Sequence, residues 1–256
     1  MQRYEMKLVV LGAGWLGSAL IEKATQINWQ VQGTSRSPNP SDAIIRQFTL
    51  QEDELIHSVD LKDAYWVCAI PPRARHADSN YLETLSSALR LSDELACKGF
   101  LLCSSTGVYS EQDGTYTENG ELDSETTRKK ILLEAEQRVL DAKGKVLRLA
   151  GLVGPNREPG QFVAGKTLKS SSAAVVNMVH QVDVIAAIET LILNWAEADA
   201  IYNICYPNHP TRQDYYQQRC AKLGTQPPSF ASDIVSARVI DGSAIEALGF
   251  SYQAEI

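Results

Sequence analysis

Gly12, Gly14 and Gly17 stand as Gly-x-Gly-x-x-Gly inside the stretch KLVVLGAGWLG at 7–17. That spacing lets bare backbone reach an anion. The first glycine permits a tight turn, the second lets the chain come close to a pyrophosphate, and the third lets the next helix pack on its strand. The anion would sit at the start of the helix opened by Trp15 and Leu16, where amide groups and the helix dipole favour negative charge. Three glycines in six residues also occur in ordinary turns, so the flanks decide. An apolar run precedes them, Leu16, Leu20, Ile21 and Ala24 follow at helical spacing, and a second strand begins near Gln30. The arrangement is that of a dinucleotide site.

The second strand ends in Val31-Gln32-Gly33-Thr34-Ser35-Arg36. Its tip is where such a fold tests the ribose 2′ position, and an Asp or Glu there selects NAD. Here the tip is a hydroxyl, Ser35, and a guanidinium, Arg36. A forked cationic donor suits a 2′-phosphate, so NADP is expected over NAD. The competing use of Arg36 is as a solvated loop residue, since Ser-Pro-Asn-Pro follows. A further apolar run at 65–70 meets Pro71 and Pro72, which cannot continue a hydrogen-bond ladder. Ile70, Pro71 and Pro72 would border the cofactor at a strand's carboxyl end, and they also serve as a rigid strand exit.

Downstream, LLCSSTGVY at 101–109, LRLAGLVGP at 147–155, VNMVHQVDV at 176–184 and IYNIC at 201–205 follow in order. With the opening GAGWLG they resemble the extended short-chain dehydrogenase/reductase superfamily, which includes nucleotide-sugar epimerases and dehydratases, over nearly the whole length. The resemblance implies an NAD(P)-binding Rossmann fold and a small-molecule, sugar-like substrate. It assigns a substrate hydrogen bond to Ser105, whose hydroxyl can donate and accept, although Ser104, Ser105 and Thr106 also read as a polar loop. It places Ser104 beside the cofactor, and Arg148, Ala150, Gly151 and Leu152 on the strand and loop lining the nicotinamide, with Ala150 where Pro is more usual. Asp183 reads as a charge at a helix start, and His180 as a packing or positioning residue.

One departure is chemical. The superfamily's acid/base pair is a Tyr and a Lys four residues apart, the lysine lowering the phenol's pKa. No Tyr-x-x-x-Lys occurs among the ten tyrosines. Placing Glu136 at the usual glutamate puts Arg128 and Leu132 at the pair's positions; placing Glu134 there puts Thr126 and Lys130 at them. Tyr109 or Tyr116 could reach in from the preceding loop. The chain therefore resembles the atypical branch described as NAD(P)-binding or epimerase/dehydratase-like proteins. Two readings stay open: an NADP-dependent oxidoreductase or epimerase-like enzyme in which another group moves the proton, and a non-catalytic NADP(H) sensor.

These residues must be positioned by alternating strands and helices. Strands are expected at 7–11, 30–34, 45–50, 65–70, 100–103 and 146–149, and helices at 15–26, 81–95 and 126–141, with a weak acidic helical turn at 52–58. The apolar strand runs suit burial on both faces of a doubly wound parallel α/β sheet. After 149 come a Gly- and Pro-rich loop at 151–165, a strand near 174–178, a helix at 182–195, a strand at 200–204 and a helix at 211–223. The expected organisation is a dinucleotide-binding domain at 1–150, with 178–205 returning to it, and a small substrate lobe from 151–177 and 206–256.

The 256 residues carry a net charge of −7, with 44% hydrophobic and 21% charged residues. That is a globular composition, and its acidity argues against nucleic-acid binding. The five cysteines are scattered without metal-ligand spacing, so no metal is expected. No stretch approaches the roughly 20 apolar residues of a membrane span, and the first residues lack a leader's apolar core. A cytoplasmic monomer or homodimer is expected.

Overall fold

Lys7–Leu11 (β1) is completely buried from Leu8 to Leu11, as expected of a strand covered on both faces. In the computed structural model, residues 6–39, 41–52, 54–72 and 80–256 are described. Residues 1–5, where a leader was sought, Pro40 of the expected loop, and Asp53 of the expected helical turn lie outside them. β1 pairs in parallel with β2 (Gln30–Ser35) on one side and β5 (Tyr65–Cys68) on the other. Outward from β2 lie β3 (Ile45–Gln51) and β4 (Glu54–His57). Outward from β5 lie β6 (Gly99–Ser105), β8 (Lys145–Leu149) and β12 (Ile201–Ile204). The sheet order is β12-β8-β6-β5-β1-β2-β3-β4. The order reverses at β1, and the crevice beyond the strand ends at such a switch point is where open α/β sheets bind ligands.

Helix α1 (Trp15–Gln26) covers one face: a Cβ on Gly33 of β2 would lie 2.3 Å from Ile21 Cδ1, so the helix rests directly on the strand. On the other face, Tyr81, Leu85, Ala88 and Leu91 of α2 (Tyr81–Glu94) and Ala135 and Val139 of α3 (Thr127–Asp141) join Val9, Leu11, Trp66, Phe100 and Leu102 in one core. The Thr126 hydroxyl accepts from Lys129 N at 3.2 Å and caps α3.

The chain divides into two compact units. The first holds the residues up to Val108, Ser124–Leu147 and Leu191–Ile201. The second holds Tyr109–Asp123, Arg148–Thr190 and Tyr202–Ile256. In the second, β9 (Gly151–Val153) pairs with β11 (Met178–His180), β10 (Thr167–Leu168) with β13 (Ser229–Phe230), and β7 (Gly114–Tyr116) with β14 (Arg238–Ile240), all in parallel. Its helix α6 (Arg212–Leu223) packs on the short α4 (Pro159–Phe162). Helix α5 (Gln181–Leu193) runs from the second unit's sequence into the first's.

Three expectations are corrected. The stretch 52–58 is no helical turn; Glu54–His57 forms an antiparallel edge strand on β3, pairing Leu55 with Leu50 and Ile56 with Thr49. An isolated turn lacks the length to hold itself, whereas β3 supplies ladder partners. The strand expected at 65–70 ends at Cys68; Ala69 N still donates to the Leu11 carbonyl at the end of β1, and Pro71 and Pro72 have no N–H to carry pairing further. The strand expected at 174–178 lies at Met178–His180. The carbonyl of Ala174 accepts from Arg212 N, while Val176 N donates to the Pro210 carbonyl and Val175 N to that of Ser236, so 174–176 makes only an isolated bridge, Val175 with Thr211, beside the start of the helix at 212–223.

Candidate functional site

The glycine loop follows β1, and each glycine is held to a different demand. Gly12 has φ +92°, a region that favours glycine. A Cβ on Gly17 would lie 2.0 Å from the Gly12 carbonyl oxygen, so the helix can start this close to the turn only without a side chain. A Cβ on Gly14 would meet nothing within 4 Å. Gly14 is thus bare where space is open. It stands at the N-cap of α1 with no side-chain capping hydrogen bond and no acidic residue in the helix's first turn. That end keeps the partial positive charge that attracts an anion.

The loop forms one wall of a cleft of about 640 Å³ within the first unit. Gly12, Ala13 and Gly14 meet the β2 tip, Thr34, Ser35 and Arg36, on one side, and Ala69, Ile70 and Pro71 after β5 on another. Phe48, Thr49 and Leu50 of β3 and Asn80, Tyr81 and Thr84 at the start of α2 complete it. Among the described residues lining the cleft, Arg36 is the one charged side chain, and it is solvent-exposed with no carboxylate partner among them. Burial pushes the Tyr81 phenol well above its ordinary range, with smaller contributions from Cys68, Cys103 and Glu136. It remains neutral and adds no negative charge. Apolar lining from Phe48, Leu50 and Ile70, a helix start without a side-chain cap and a lone guanidinium together fit an adenosine-phosphate ligand.

Of the residues singled out from sequence, Gly12, Gly14, Ser35, Arg36, Ile70 and Pro71 line this cleft. Trp15 opens α1, and Leu16 and Gly17 are buried beneath it. Pro72 follows directly on the lining. Ser104 is buried and donates its hydroxyl to Glu136 Oε1 at 2.5 Å, joining β6 to α3. The Ser105 hydroxyl accepts from Gly107 N at 3.1 Å. Ala150, Gly151 and Leu152 belong to the second unit. There Ala150 N donates to the Ile204 carbonyl, and Gly151 N to that of Asn177. Asp183 stands in the first turn of α5 and also accepts from Gln253 N at 2.9 Å and from Ala254 N. His180 Nδ1 accepts from Val182 N at 3.2 Å.

Neither loop tyrosine offers a free phenol. Tyr109 is fully buried in the second unit; its hydroxyl donates to Asn203 Oδ1 at 2.7 Å and accepts from Arg148 at 2.8 Å. Desolvation pushes its pKa up, outweighing the lowering effect of Arg148. The Tyr116 hydroxyl donates to the Gln112 carbonyl at 3.1 Å. On α3, Arg128 is exposed and Leu132 is buried in the core, while Thr126 is the helix cap. Neither alignment of the helix supplies a proton-transfer pair.

Sequence reading missed Ala13, Thr34, Phe48, Thr49, Leu50, Ala69, Asn80, Tyr81 and Thr84 of the lining. Ala13 and Thr34 lie inside motifs already picked out. The others reach the cleft only through tertiary packing and carry no local signal. Among the described residues no group of three or more His, Cys, Asp or Glu is placed to hold a metal, and no helix is long and apolar enough to cross a membrane.

An open, mostly parallel sheet with a glycine-rich turn at its switch point is a Rossmann-type α/β fold, and solved epimerase structures share it. Solved structures agree: UDP-N-acetylglucosamine 4-epimerase from Bacillus cereus superposes with a TM-score of 0.78 at 16% identity, covering 98% of this chain and 92% of that one. MoeE5 in complex with UDP-glucose and NAD gives 0.78 at 18%, covering 98% and 94%. A functionally unknown conserved protein from Silicibacter pomeroyi gives 0.75 at 20%, covering 97% and 94%. No family model matches the chain. Protein YeeZ of Escherichia coli K12 is 36% identical over 264 residues, spanning 96% of each chain, and the chain belongs to the YeeZ family.

Proposed function

We propose that this protein binds NADP(H) in the cleft of its first unit. The carrying observation is that Arg36, the lone charged side chain among the described lining, stands on the β2 tip beside the glycine loop. In this assignment Gly14 and the start of α1 hold the pyrophosphate, Arg36 and Ser35 hold the 2′-phosphate, and the apolar wall takes the adenine. The cofactor, when bound, supplies a hydride donor or acceptor. The chain's part is to hold and orient it and, through Ser105, to hydrogen-bond a small polar, sugar-like substrate. The activity is NADP-dependent oxidoreductase or epimerase-like, with proton transfer by a group other than a tyrosine-lysine pair. The net charge of −7 and the five free thiols suit a cytoplasmic protein without nucleic-acid partners, acting as monomer or homodimer.

The engaged phenols of Tyr109 and Tyr116 favour a second reading, a sensor that binds NADP(H) without turnover. Incubation with C4-deuterated NADPH and a panel of aldehydes and ketones, and with NADP and a panel of sugar nucleotides, separates the two. Deuterium appearing in an alcohol product, or an epimerised or oxidised sugar formed with NADP, establishes the enzyme. Tight binding with complete retention of the label and no sugar product across both panels establishes the sensor.

A further inference from the structure

The last three residues of the β2 tip divide their work. Ser35 Oγ accepts from Ser37 N at 3.3 Å within the tip itself, and Arg36 faces the cleft. Thr34, 2% exposed, does something else. Its carbonyl accepts from Ala13 N at 2.7 Å and its Oγ1 accepts from Gly12 N at 2.9 Å. A single residue thus takes up two consecutive amides of the glycine loop, one through main chain and one through side chain. The first two N–H groups of the turn are directed back into the sheet, and the turn is fixed where Gly12 has φ +92°. Gly14, the next bare residue, is left facing open space.

We infer that Thr34 is a positioning residue for dinucleotide binding: its hydroxyl holds the phosphate loop in register with the Ser35–Arg36 tip. The inference rests on the assignment of NADP(H) to this cleft. A loop free to shift at Gly12 spends part of its binding free energy on being ordered, whereas a loop pinned to β2 meets the pyrophosphate already in place. Two parts of the ligand, its pyrophosphate and its 2′-phosphate, are then held at a spacing set by one threonine. Valine has nearly the same shape and leaves the Thr34 carbonyl bond to Ala13 intact; it removes only the acceptor for Gly12 N. Serine keeps that acceptor.

The test compares wild type, Thr34→Val and Thr34→Ser by calorimetric titration with NADP and with adenosine 2′-monophosphate, which reaches Arg36 and the adenine wall but not the glycine loop. Thermal melts are recorded in parallel. Thr34→Val is expected to weaken NADP by at least about tenfold while changing adenosine 2′-monophosphate by less than about twofold, and Thr34→Ser to stay within about threefold of wild type for both. Unchanged NADP affinity in Thr34→Val, or equal losses for the two ligands, overturns the positioning role. So does failure of serine to restore binding when its melt matches wild type. Wild type binding neither ligand fails the cleft assignment itself, a result distinct from any pattern among the variants.

Discussion

The hydroxyl of Tyr109 donates to Asn203 Oδ1 at 2.7 Å while accepting from the Arg148 guanidinium at 2.8 Å, and all three side chains are buried. Arg148 also donates to the Glu118 carbonyl, and Asn203 Nδ2 to the carbonyls of Tyr116 and Asp241. A phenol used in this way is a structural member of a polar network. Tyr109→Phe would leave Asn203 and Arg148 each short of a partner and cost about 1–3 kcal/mol of stability. Urea unfolding should register the loss, and NADP affinity should remain at the wild-type value. A large fall in cofactor binding or turnover without a fall in stability would instead make Tyr109 part of the chemistry.

Gly14 and Gly17 predict opposite outcomes. A Cβ at Gly14 would meet nothing within 4 Å beyond its own chain neighbours, so Gly14→Val should fold with a melting temperature close to wild type and lose NADP binding by filling the phosphate space. Gly17→Ala drives a Cβ to 2.0 Å from the Gly12 carbonyl oxygen and should destabilise the fold by about 1–3 kcal/mol or more. Melts and titrations on the same samples separate binding from folding. Normal NADP binding by Gly14→Val would contradict the phosphate assignment.

How much of this was open to reading from sequence varies with the reach of the interactions. The glycine turn is local, so β1, α1 and three of the cleft's corners were legible; α6 was too, with Thr211 accepting from Asp214 N at its start and Gly224 left-handed at its end. Glu54–His57 was misread because its acidic, short segment is stabilised by pairing with β3, which no local pattern records. Phe48–Leu50 and Tyr81 come to the cleft through sheet order and helix packing, so their role appears only in three dimensions. The tyrosine missing from α3 was legible, whereas the engagement of Tyr109 with Asn203, 94 residues away, was not.

Arg36 carries the cofactor preference. Arg36→Ala should weaken NADP by roughly 10- to 100-fold, the value of a charge-assisted contact to phosphate, and leave NAD within about twofold. Because the guanidinium is exposed, the NADP advantage should also shrink as salt is raised from 0.05 to about 0.5 M. Equal losses for both dinucleotides would remove the 2′-phosphate assignment.

His209 gives a pH signature. Its partial burial lowers its pKa from 6.5, against smaller opposing effects of the Val176 carbonyl, 3.3 Å from Nδ1, and of Asp241. The folded state therefore favours the neutral ring. The unfolded chain takes up the proton first as pH falls below about 6.5, so this contribution to stability is complete above that value and is lost on acidification through the lower, folded-state pKa. Unfolding midpoints measured between pH 7.5 and 5 should fall less steeply for His209→Gln than for wild type. Parallel profiles would show that His209 does not contribute.

Calorimetric titration of nucleotide-free protein with NADP, NADPH, NAD and NADH tests the central assignment most directly. Micromolar binding of NADP or NADPH, at least about tenfold tighter than the corresponding NAD or NADH, is the expected result. No heat of binding with any of the four, from protein with a cooperative melt, would contradict a dinucleotide site in the Gly12–Arg36 cleft.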